Sequence, residues 1–221
     1  MAPSTGPLAV MWSGGKDGFL ALRRAQEGGL PVTTLVTLLD ETTGRVRFHG
    51  TPLPLIQAQA AALGLGVLAL PTTWERYEHS FTQSLRDLAA AGCAGVVFGN
   101  LHLTDVRGWF EERVRAVGLA HIEPLWGEPP AELLAACVGS GVRAMVTCRD
   151  VQRLDASWLG RELDAAFVRD IAQLPGVDPA GEHGEYHTFV FDGPGFDRPV
   201  AWRAGSRRTD QGFETLDLDP P

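Results

Sequence analysis

The stretch that decides the fold is MWSGGKDG, residues 11–18, which directly follows the apolar run LAV at residues 8–10. A short buried strand therefore leads into a tight glycine turn, and the turn opens a helix expected over residues 19–27. This geometry directs several backbone N–H groups and the positive end of the helix dipole at one point, where a polyphosphate can bind. Ser13 adds a hydroxyl, Lys16 a mobile cation, and Asp17 a carboxylate that can approach a phosphate-bound Mg²⁺.

The glycine turn differs from two common phosphate-binding motifs. It lacks the second glycine followed by Lys-Ser/Thr that defines a Walker A loop, and it lacks the G-x-G-x-x-G spacing of a dinucleotide fingerprint. It resembles the pyrophosphate-binding loop, Ser-Gly-Gly-x-Asp-Ser/Thr, of the ATP pyrophosphatases, which split ATP into AMP and pyrophosphate. The alternative is a plain strand-to-helix connection, because glycine supplies positive φ without steric cost.

Composition limits the class of protein. With 221 residues, 44% of them hydrophobic, the chain can build one large domain or two small ones. It shows neither a bilayer-length apolar run nor a secretion signal, so we expect a cytoplasmic protein without a membrane partner. The net charge of −8 argues against nucleic acid as the main partner. Six tryptophans and ten phenylalanines are compatible with a homo-oligomer interface as well as with core packing.

Strand-like and helix-like segments alternate along the first half of the chain. We expect strands over residues 32–39, 66–70, 95–98 and 121–125, and helices over residues 54–63, 74–91 and 104–117. This order predicts an α/β fold in which a Rossmann-like (HUP-type) parallel sheet is sandwiched by helices. Ligands of such sheets bind beyond the carboxyl ends of the strands, where the 13–18 loop, Asp40 and the Gly99-Asn100 pair should converge.

The sequence changes character after Trp126, where Gly-Glu-Pro-Pro at residues 127–130 indicates a boundary. We expect an ATP-binding domain over residues 1–126 and a smaller α+β substrate-binding domain over residues 127–221. Within the second domain we expect helices over residues 131–138 and 161–174 and a strand over residues 143–147. We expect the lead at residues 3–7 and the Asp- and Pro-rich end after Thr215 to be loose. The three cysteines form no C-x-x-C pair and are expected to be small buried hydrophobes.

A second cluster, GEHGEYHT at residues 181–188, precedes an apolar alternation that predicts a strand. Its carboxylates can bind an amine or Mg²⁺, and a histidine can move a proton. The alternative is a solvated polar loop. Zinc is not expected there, because no Cys/His pair with ligand spacing surrounds the stretch.

Together the two clusters resemble the diphthine–ammonia ligase family and its bacterial and archaeal relatives, AMP-forming enzymes of the adenine-nucleotide α-hydrolase fold. The likeness extends from Trp12 to about Phe196. Its most specific marker is the 181–188 cluster followed by DGP at residues 192–194. Other markers are FHG at residues 48–50, FG at residues 98–99 with Arg107, PLWG at residues 124–127 and LGR at residues 159–161.

The resemblance implies an ATP-dependent amide-forming ligase with ATP and Mg²⁺ as cofactors. ATP adenylates a carboxylate, on a small molecule or on a modified protein side chain, and pyrophosphate leaves. Ammonia or another amine then displaces AMP. The Ala-, Gly- and Arg-rich composition indicates a bacterial-type relative, which favours a carboxylate other than diphthine, such as a small metabolite. Two alternatives stay open, a nucleotide-binding sensor without catalysis and a tRNA-modifying ATP pyrophosphatase.

The resemblance also assigns roles to residues of this sequence. The nucleotide contacts it implies are Ser13, Gly14, Gly15, Lys16, Asp17, Gly18, His49 and Gly99, with Asp17 near the metal. The substrate contacts it implies are Glu182, Glu185, His187 and Thr188. The catalytic residues it implies are Lys16, Glu182, Glu185 and His187. The chain departs from the family pattern at Gly18, which lacks the usual hydroxyl, and at Asn100, where relatives often carry Asp.

Overall fold

The computed structural model describes residues 6–221, and its first half forms a parallel sheet. The strands are β1 (Leu8–Met11), β2 (Val32–Asp40), β3 (Gly66–Thr72), β4 (Gly95–Val97) and β5 (Ala120–Ile122). Their order across the sheet is β3-β2-β1-β4-β5. The lead expected to be loose lies outside the described residues, except for Gly6 and Pro7.

Four helices cover both faces of this sheet. They are α1 (Lys16–Glu27), α2 (Leu53–Leu63), α3 (Tyr77–Ala90) and α4 (Thr104–Ala116). Successive strand residues point to opposite faces. Accordingly, Val10 of β1 lies in an apolar cluster with Phe19 of α1, whereas Ala9 lies in a second cluster with Phe81 of α3 and Val114 of α4. The predicted helix-covered parallel sheet is confirmed.

Some element bounds differ from the predicted ones for local reasons. Helix α1 begins at Lys16, because Gly15 is its N-cap. Strand β3 continues through Pro71 to Thr72, which is tolerated because β3 is an edge strand. The helix expected over residues 161–174 is the shorter α6 (Ala165–Ile171), whose first turn is capped by Asp164, which accepts a hydrogen bond of 2.7 Å from the backbone N–H of Phe167.

The second half forms a separate antiparallel sheet. Its strands are β6 (Arg143–Asp150), β7 (Tyr186–Asp192), β8 (Arg203–Asp210) and β9 (Phe213–Asp219), in the order β7-β6-β9-β8. Helix α5 (Pro130–Gly139) precedes it, and α6 packs with α5 in the large apolar cluster. This half therefore has the predicted α+β character.

The expectation of a loose C-terminal end is wrong. Strands β8 and β9 form a hairpin joined by Gln211 and Gly212, which both have positive φ, 48° and 86°, as a two-residue hairpin turn requires. Leu216 and Leu218 of β9 alternate with polar residues and are buried against the core of this sheet. Acidic residues on the outer face and the final prolines obscured this alternation in the sequence.

The two sheets share hydrophobic core. One apolar cluster contains Val10 and Phe19 from the first half together with Ala144 and Val190 from the second. The first sheet ends at Ile122 and the second begins at Arg143, so the domain boundary predicted near residue 127 falls between them. That boundary stays a prediction, because the two halves pack closely together in one core.

All three cysteines are free thiols, and Cys137 and Cys148 are buried, as expected. Among residues 6–221, no helix is both long enough and apolar enough to cross a membrane.

Candidate functional site

The glycine turn joins β1 to α1 and has no room for side chains at Gly14 and Gly15. Gly14 has φ of +87°, and its carbonyl accepts hydrogen bonds from the backbone N–H of Val190 at 2.8 Å and from Gln59 Nε2 at 3.1 Å. A methyl group on Gly15 would lie 2.6 Å from Cε1 of His49. Gly15, the N-cap residue of α1, has no side chain to cap the helix, and Thr188 accepts the first of its N–H groups, that of Lys16. The N–H groups that follow in the first turn point towards the N-terminal end of the helix, which favours an anion there.

The turn is held by the second half of the chain. The backbone N–H of Lys16 donates to Oγ1 of Thr188 at 3.0 Å, and Gln59, itself completely buried, donates to the carbonyl of Val190 at 2.6 Å. Strand β7 therefore lies directly against the turn. The site is built from both sheets rather than from the first alone.

Lys16 is almost fully buried, and its ammonium group is already paired. It lies 2.9 Å from each carboxylate oxygen of Asp17, donates to the carbonyl of Ala180, and lies over the ring of Tyr186. Burial, the largest single effect, lowers the pKa of Lys16, but the charge and hydrogen bonds of Asp17 together with Tyr186 and Glu182 raise that pKa above its usual value. Lys16 therefore carries a permanent charge next to Asp17.

A cavity of about 560 Å³ opens at the carboxyl ends of the parallel strands, next to this turn. Nine of the predicted site residues line it: Ser13, Lys16, Asp17, Gly18, His49, Gly99, Glu182, His187 and Thr188. Gly14, Gly15 and Glu185 do not. Asp40 lies outside this cavity as well, because its Oδ1 accepts hydrogen bonds from the backbone N–H groups of Thr42 and Thr43.

The Gly99-Asn100 pair follows β4 and closes another side of the cavity. A methyl group on Gly99 would lie 2.7 Å from the carbonyl carbon and oxygen of Asp17, so only glycine allows this loop to approach the turn. Asn100 donates a hydrogen bond of 2.7 Å to Glu123 Oε1, and Arg107 pairs with the other oxygen of Glu123 at 3.0 Å. The amide at position 100 therefore satisfies a buried carboxylate, which an aspartate would repel.

His49 reaches the cavity from the loop between β2 and α2. Its Nδ1 lies 3.1 Å from the carbonyl oxygen of Thr188, and its ring centroid lies 4.6 Å from that of His187. Burial lowers the pKa of His49 to about 4 and lowers the pKa of His187 well below its usual value. Both rings are therefore neutral at physiological pH, and neutral imidazoles can accept hydrogen bonds from a ligand.

The two glutamates of the 181–188 cluster occupy different environments. Glu182 lines the cavity, and its Oε2 accepts a hydrogen bond from the backbone N–H of Leu101 at 3.2 Å. Burial, reinforced by the charge of Asp17, raises the pKa of Glu182 to about 7. Glu182 can therefore hold or release a proton near neutral pH.

Glu185 is completely buried behind the cavity wall. Its Oε1 accepts from Arg153 Nη1 at 2.9 Å and from the backbone N–H of Asp178 at 3.0 Å, and its Oε2 accepts from the backbone N–H of His183 at 3.0 Å. These bonds occupy its carboxylate, so this geometry favours positioning of the loop over the contact with substrate that the resemblance implied.

The sequence marked Phe48 and Phe98 only as parts of family motifs and did not predict that the cavity has an aromatic wall. The wall consists of Phe48, Trp74, Tyr77, Phe98 and Phe110. Phe48 has positive φ, 62°, and half of its surface is exposed, although such backbone geometry is uncommon for a bulky residue. Arg47 lies between Phe48 and Trp74, 4.8 Å from the centroid of the Trp74 ring. These residues belong to loops and to helices α3 and α4, so no single period in the sequence marks them as one surface.

Comparison with known families agrees with this architecture. A family model described as diphthamide synthase N-terminal domain matches residues 6–121, and one described as diphthamide synthase C-terminal domain matches residues 129–218. Comparison with curated protein sequences gave no match. The first match contains the glycine turn, and the second contains the 181–188 cluster. The chain belongs to the diphthamide synthase family.

Proposed function

We propose that this protein is an ATP-dependent ligase that adenylates a carboxylate and transfers ammonia to it. A carboxylate oxygen attacks the α-phosphorus of ATP, the bond from that phosphorus to the bridging oxygen breaks, and pyrophosphate leaves. Ammonia then attacks the acyl carbon, AMP leaves with the electron pair of the C–O bond, and a base takes the proton released by the nitrogen. The product is an amide.

The observation that carries this proposal is the position of the α1 N-terminus. It opens into a cavity that Glu182 and His187 also line. A helix N-terminus favours the phosphates of a nucleotide, whereas a carboxylate and a neutral imidazole suit binding and deprotonation of an amine. One cavity therefore offers both halves of the reaction.

The residues present fit ATP. The cavity, about 560 Å³, falls within the usual range for small-molecule sites. The glycines at positions 15 and 99 let His49 and the β4–α4 loop pack directly against the turn beside the cavity. The aromatic wall, with Phe98 and Phe110, supplies flat apolar surface for a purine.

The residues present also fit Mg²⁺. Asp17 lines the cavity, and a carboxylate oxygen is the kind of ligand that Mg²⁺ prefers. When bound there with the phosphates, Mg²⁺ would neutralise part of the charge on the departing pyrophosphate. Lys16 holds the Asp17 side chain in place through both oxygens. We assign Glu182 as the group that takes the proton from the attacking nitrogen.

The pairing of Lys16 favours a second candidate, a nucleotide sensor without catalysis. Its ammonium is engaged with Asp17 and Ala180, so a phosphate would have to compete for it. A sensor would bind ATP in the same cavity and leave it intact.

The test is the nucleotide product. The purified protein is incubated with labelled ATP, Mg²⁺ and ammonium, with and without the macromolecular or the small-molecule fraction of a cell extract. AMP and pyrophosphate formed with one fraction support the ligase and give the size class of the carboxylate. ATP that binds but is never cleaved supports the sensor, and ADP contradicts both.

A variant pair sharpens the test. Glu182→Gln should reduce AMP formation by about 10²–10⁴-fold, the usual contribution of a general base, while ATP still binds. Glu128→Gln is the matched control, because Glu128 pairs with Arg24 and does not line the cavity. Equal activity of Glu182→Gln and the wild type would remove Glu182 from the proposed chemistry.

A further inference from the structure

A cluster of two histidines and one aspartate lies behind the Glu182 wall, and the proposed ligase reaction does not use it. His102 comes from the loop between β4 and α4, whereas Asp178 and His183 belong to the segment that precedes β7. One side-chain ligand atom from each residue lies within 4.8 Å of the other two. The three residues converge although 81 positions separate His102 from His183 in the sequence.

Two polar atoms of this cluster are buried without a hydrogen-bond partner among residues 6–221. They are Oδ2 of Asp178 and Nδ1 of His102. The Asp178 side chain is only 7% exposed, and its Oδ2 faces the ring of His102, with Nε2 3.4 Å away. An unsatisfied buried carboxylate oxygen is costly. A bound cation would remove this cost.

The backbone around the cluster is held firmly. Oδ1 of Asp178 accepts the backbone N–H of Ala180 at 2.8 Å, which fixes the direction of Oδ2. The buried carboxylate of Glu185 accepts the backbone N–H groups of both Asp178 and His183. One carboxylate therefore positions two members of the cluster, as outer-shell groups do at metal sites.

We propose that His102, Asp178 and His183 form a binding site for a divalent transition metal of the Zn²⁺ class. Two imidazoles and one carboxylate suit Zn²⁺ or a similar ion better than Mg²⁺ or Ca²⁺, which prefer oxygen ligands. In a tetrahedral site with ligand distances of about 2.1 Å, neighbouring ligand atoms lie about 3.4 Å apart. His102 Nε2 and Asp178 Oδ2 have this separation, 3.4 Å. His183 is exposed, so its ring can close the remaining gap, and a fourth position stays open.

The metal would join the two halves of the chain at the cavity wall. Leu101, next to His102, donates its backbone N–H to Glu182, next to His183. Binding of the ion would therefore hold the segment that carries Glu182 against the β4–α4 loop. This inference stands apart from the proposed reaction, because metal binding is measurable without ATP or a carboxylate.

The experiment is a calorimetric titration with Zn²⁺ in the presence of excess Mg²⁺. The protein is first treated with a chelator that removes any bound metal. We expect the wild type to bind one Zn²⁺ ion tightly per molecule. His183→Ala removes an exposed ligand without threatening the fold, and should weaken binding by more than about 10–100-fold, the loss typical of an outer-shell partner. His79→Ala, which removes an exposed histidine of α3 remote from the cluster, is the matched control and should bind as the wild type does.

Two outcomes would overturn the proposal. One is that the wild type binds no Zn²⁺ tightly. The other is tight Zn²⁺ binding that persists in both His183→Ala and His102→Ala but is lost in His49→Ala. That result would place the ion at the His49–His187 pair inside the cavity. Thermal unfolding gives a second readout, since Zn²⁺ should raise the midpoint of the wild type and leave that of His183→Ala unchanged.

Discussion

The backbone N–H of Lys16 donates a hydrogen bond of 3.0 Å to Oγ1 of Thr188, across 172 residues of sequence. Because this donor belongs to the first turn of α1, a side chain from the second sheet satisfies one of the orphan groups of the helix. The glycine turn and the 181–188 cluster are thereby parts of one buried structure.

Replacement of Thr188 should test this link. Thr188→Val keeps the shape but leaves the Lys16 N–H buried without an acceptor, and should lower the free energy of unfolding by about 1–3 kcal/mol. Thr188→Ser keeps the hydroxyl and should recover most of that loss. Urea unfolding monitored by circular dichroism measures both, and equal midpoints for the valine and serine variants would show that this bond contributes nothing.

The tightness of the glycine turn gives a second prediction. Gly15→Ala places a methyl group 2.6 Å from Cε1 of His49 and 3.1 Å from the carbonyl of Thr188, so it should cost about 1–3 kcal/mol of stability and weaken ATP binding. The control is Gly108→Ala in α4, where nothing lies within 4 Å. There the better helix propensity of alanine should stabilise the protein by up to about 1 kcal/mol. Unaltered nucleotide affinity in Gly15→Ala would contradict the proposed phosphate position.

The different surroundings of Glu182 and Glu185 give a third prediction. Glu185→Gln replaces a buried carboxylate that accepts two backbone N–H groups and the Arg153 guanidinium, and should cost about 2–3 kcal/mol of stability. Arg153→Ala should cost less, because that side chain is 40% exposed and water screens the pair. AMP formation per folded molecule should survive in Glu185→Gln and fall by about 10²–10⁴-fold in Glu182→Gln. Loss of turnover in a fully folded Glu185→Gln protein would restore a direct role for Glu185.

The half-buried histidines at positions 49 and 187 give a prediction about pH. The pKa of His49 is lowered to about 4 in the folded protein, so between about pH 6.5 and pH 4 the unfolded chain binds a proton that the folded chain excludes. The stability due to neutral His49 is therefore complete above about pH 6.5 and is lost as the pH falls toward 4. His187, whose pKa is also lowered, acts with the same sign.

We expect His49→Gln to flatten the decline of the unfolding free energy with acid, leaving the part due to His187. His79→Gln, on the exposed face of α3, should follow the wild-type curve. Denaturant unfolding at several pH values from 7 down to 4 gives the slope of the unfolding free energy against pH for both variants. A slope in His49→Gln equal to that of the wild type would mean that His49 is solvated in the folded state.

Much of the fold could be predicted from local patterns. The alternation of β-branched runs with amphipathic helices predicted the parallel sheet, because strand and helix periods differ and glycines mark the ends of elements. The β8–β9 hairpin escaped prediction, because Leu216 and Leu218 are only two apolar residues among acidic ones. Their burial depends on helix α2, whose Leu55 and Ala62 lie in the same apolar cluster, and no local pattern describes that contact.

For the site, the sequence alone determined the glycine turn, since a strand, two glycines and a helix start impose that geometry locally. Only the tertiary structure separated Glu182 from Glu185. Gly181 and Gly184 both have positive φ, 75° and 81°, so the segment follows no regular period and side-chain direction cannot be counted off the sequence. Long-range packing likewise decided that Thr188 meets Lys16 and that His102 meets Asp178, because the partners belong to different halves of the chain and meet only once both halves share a core.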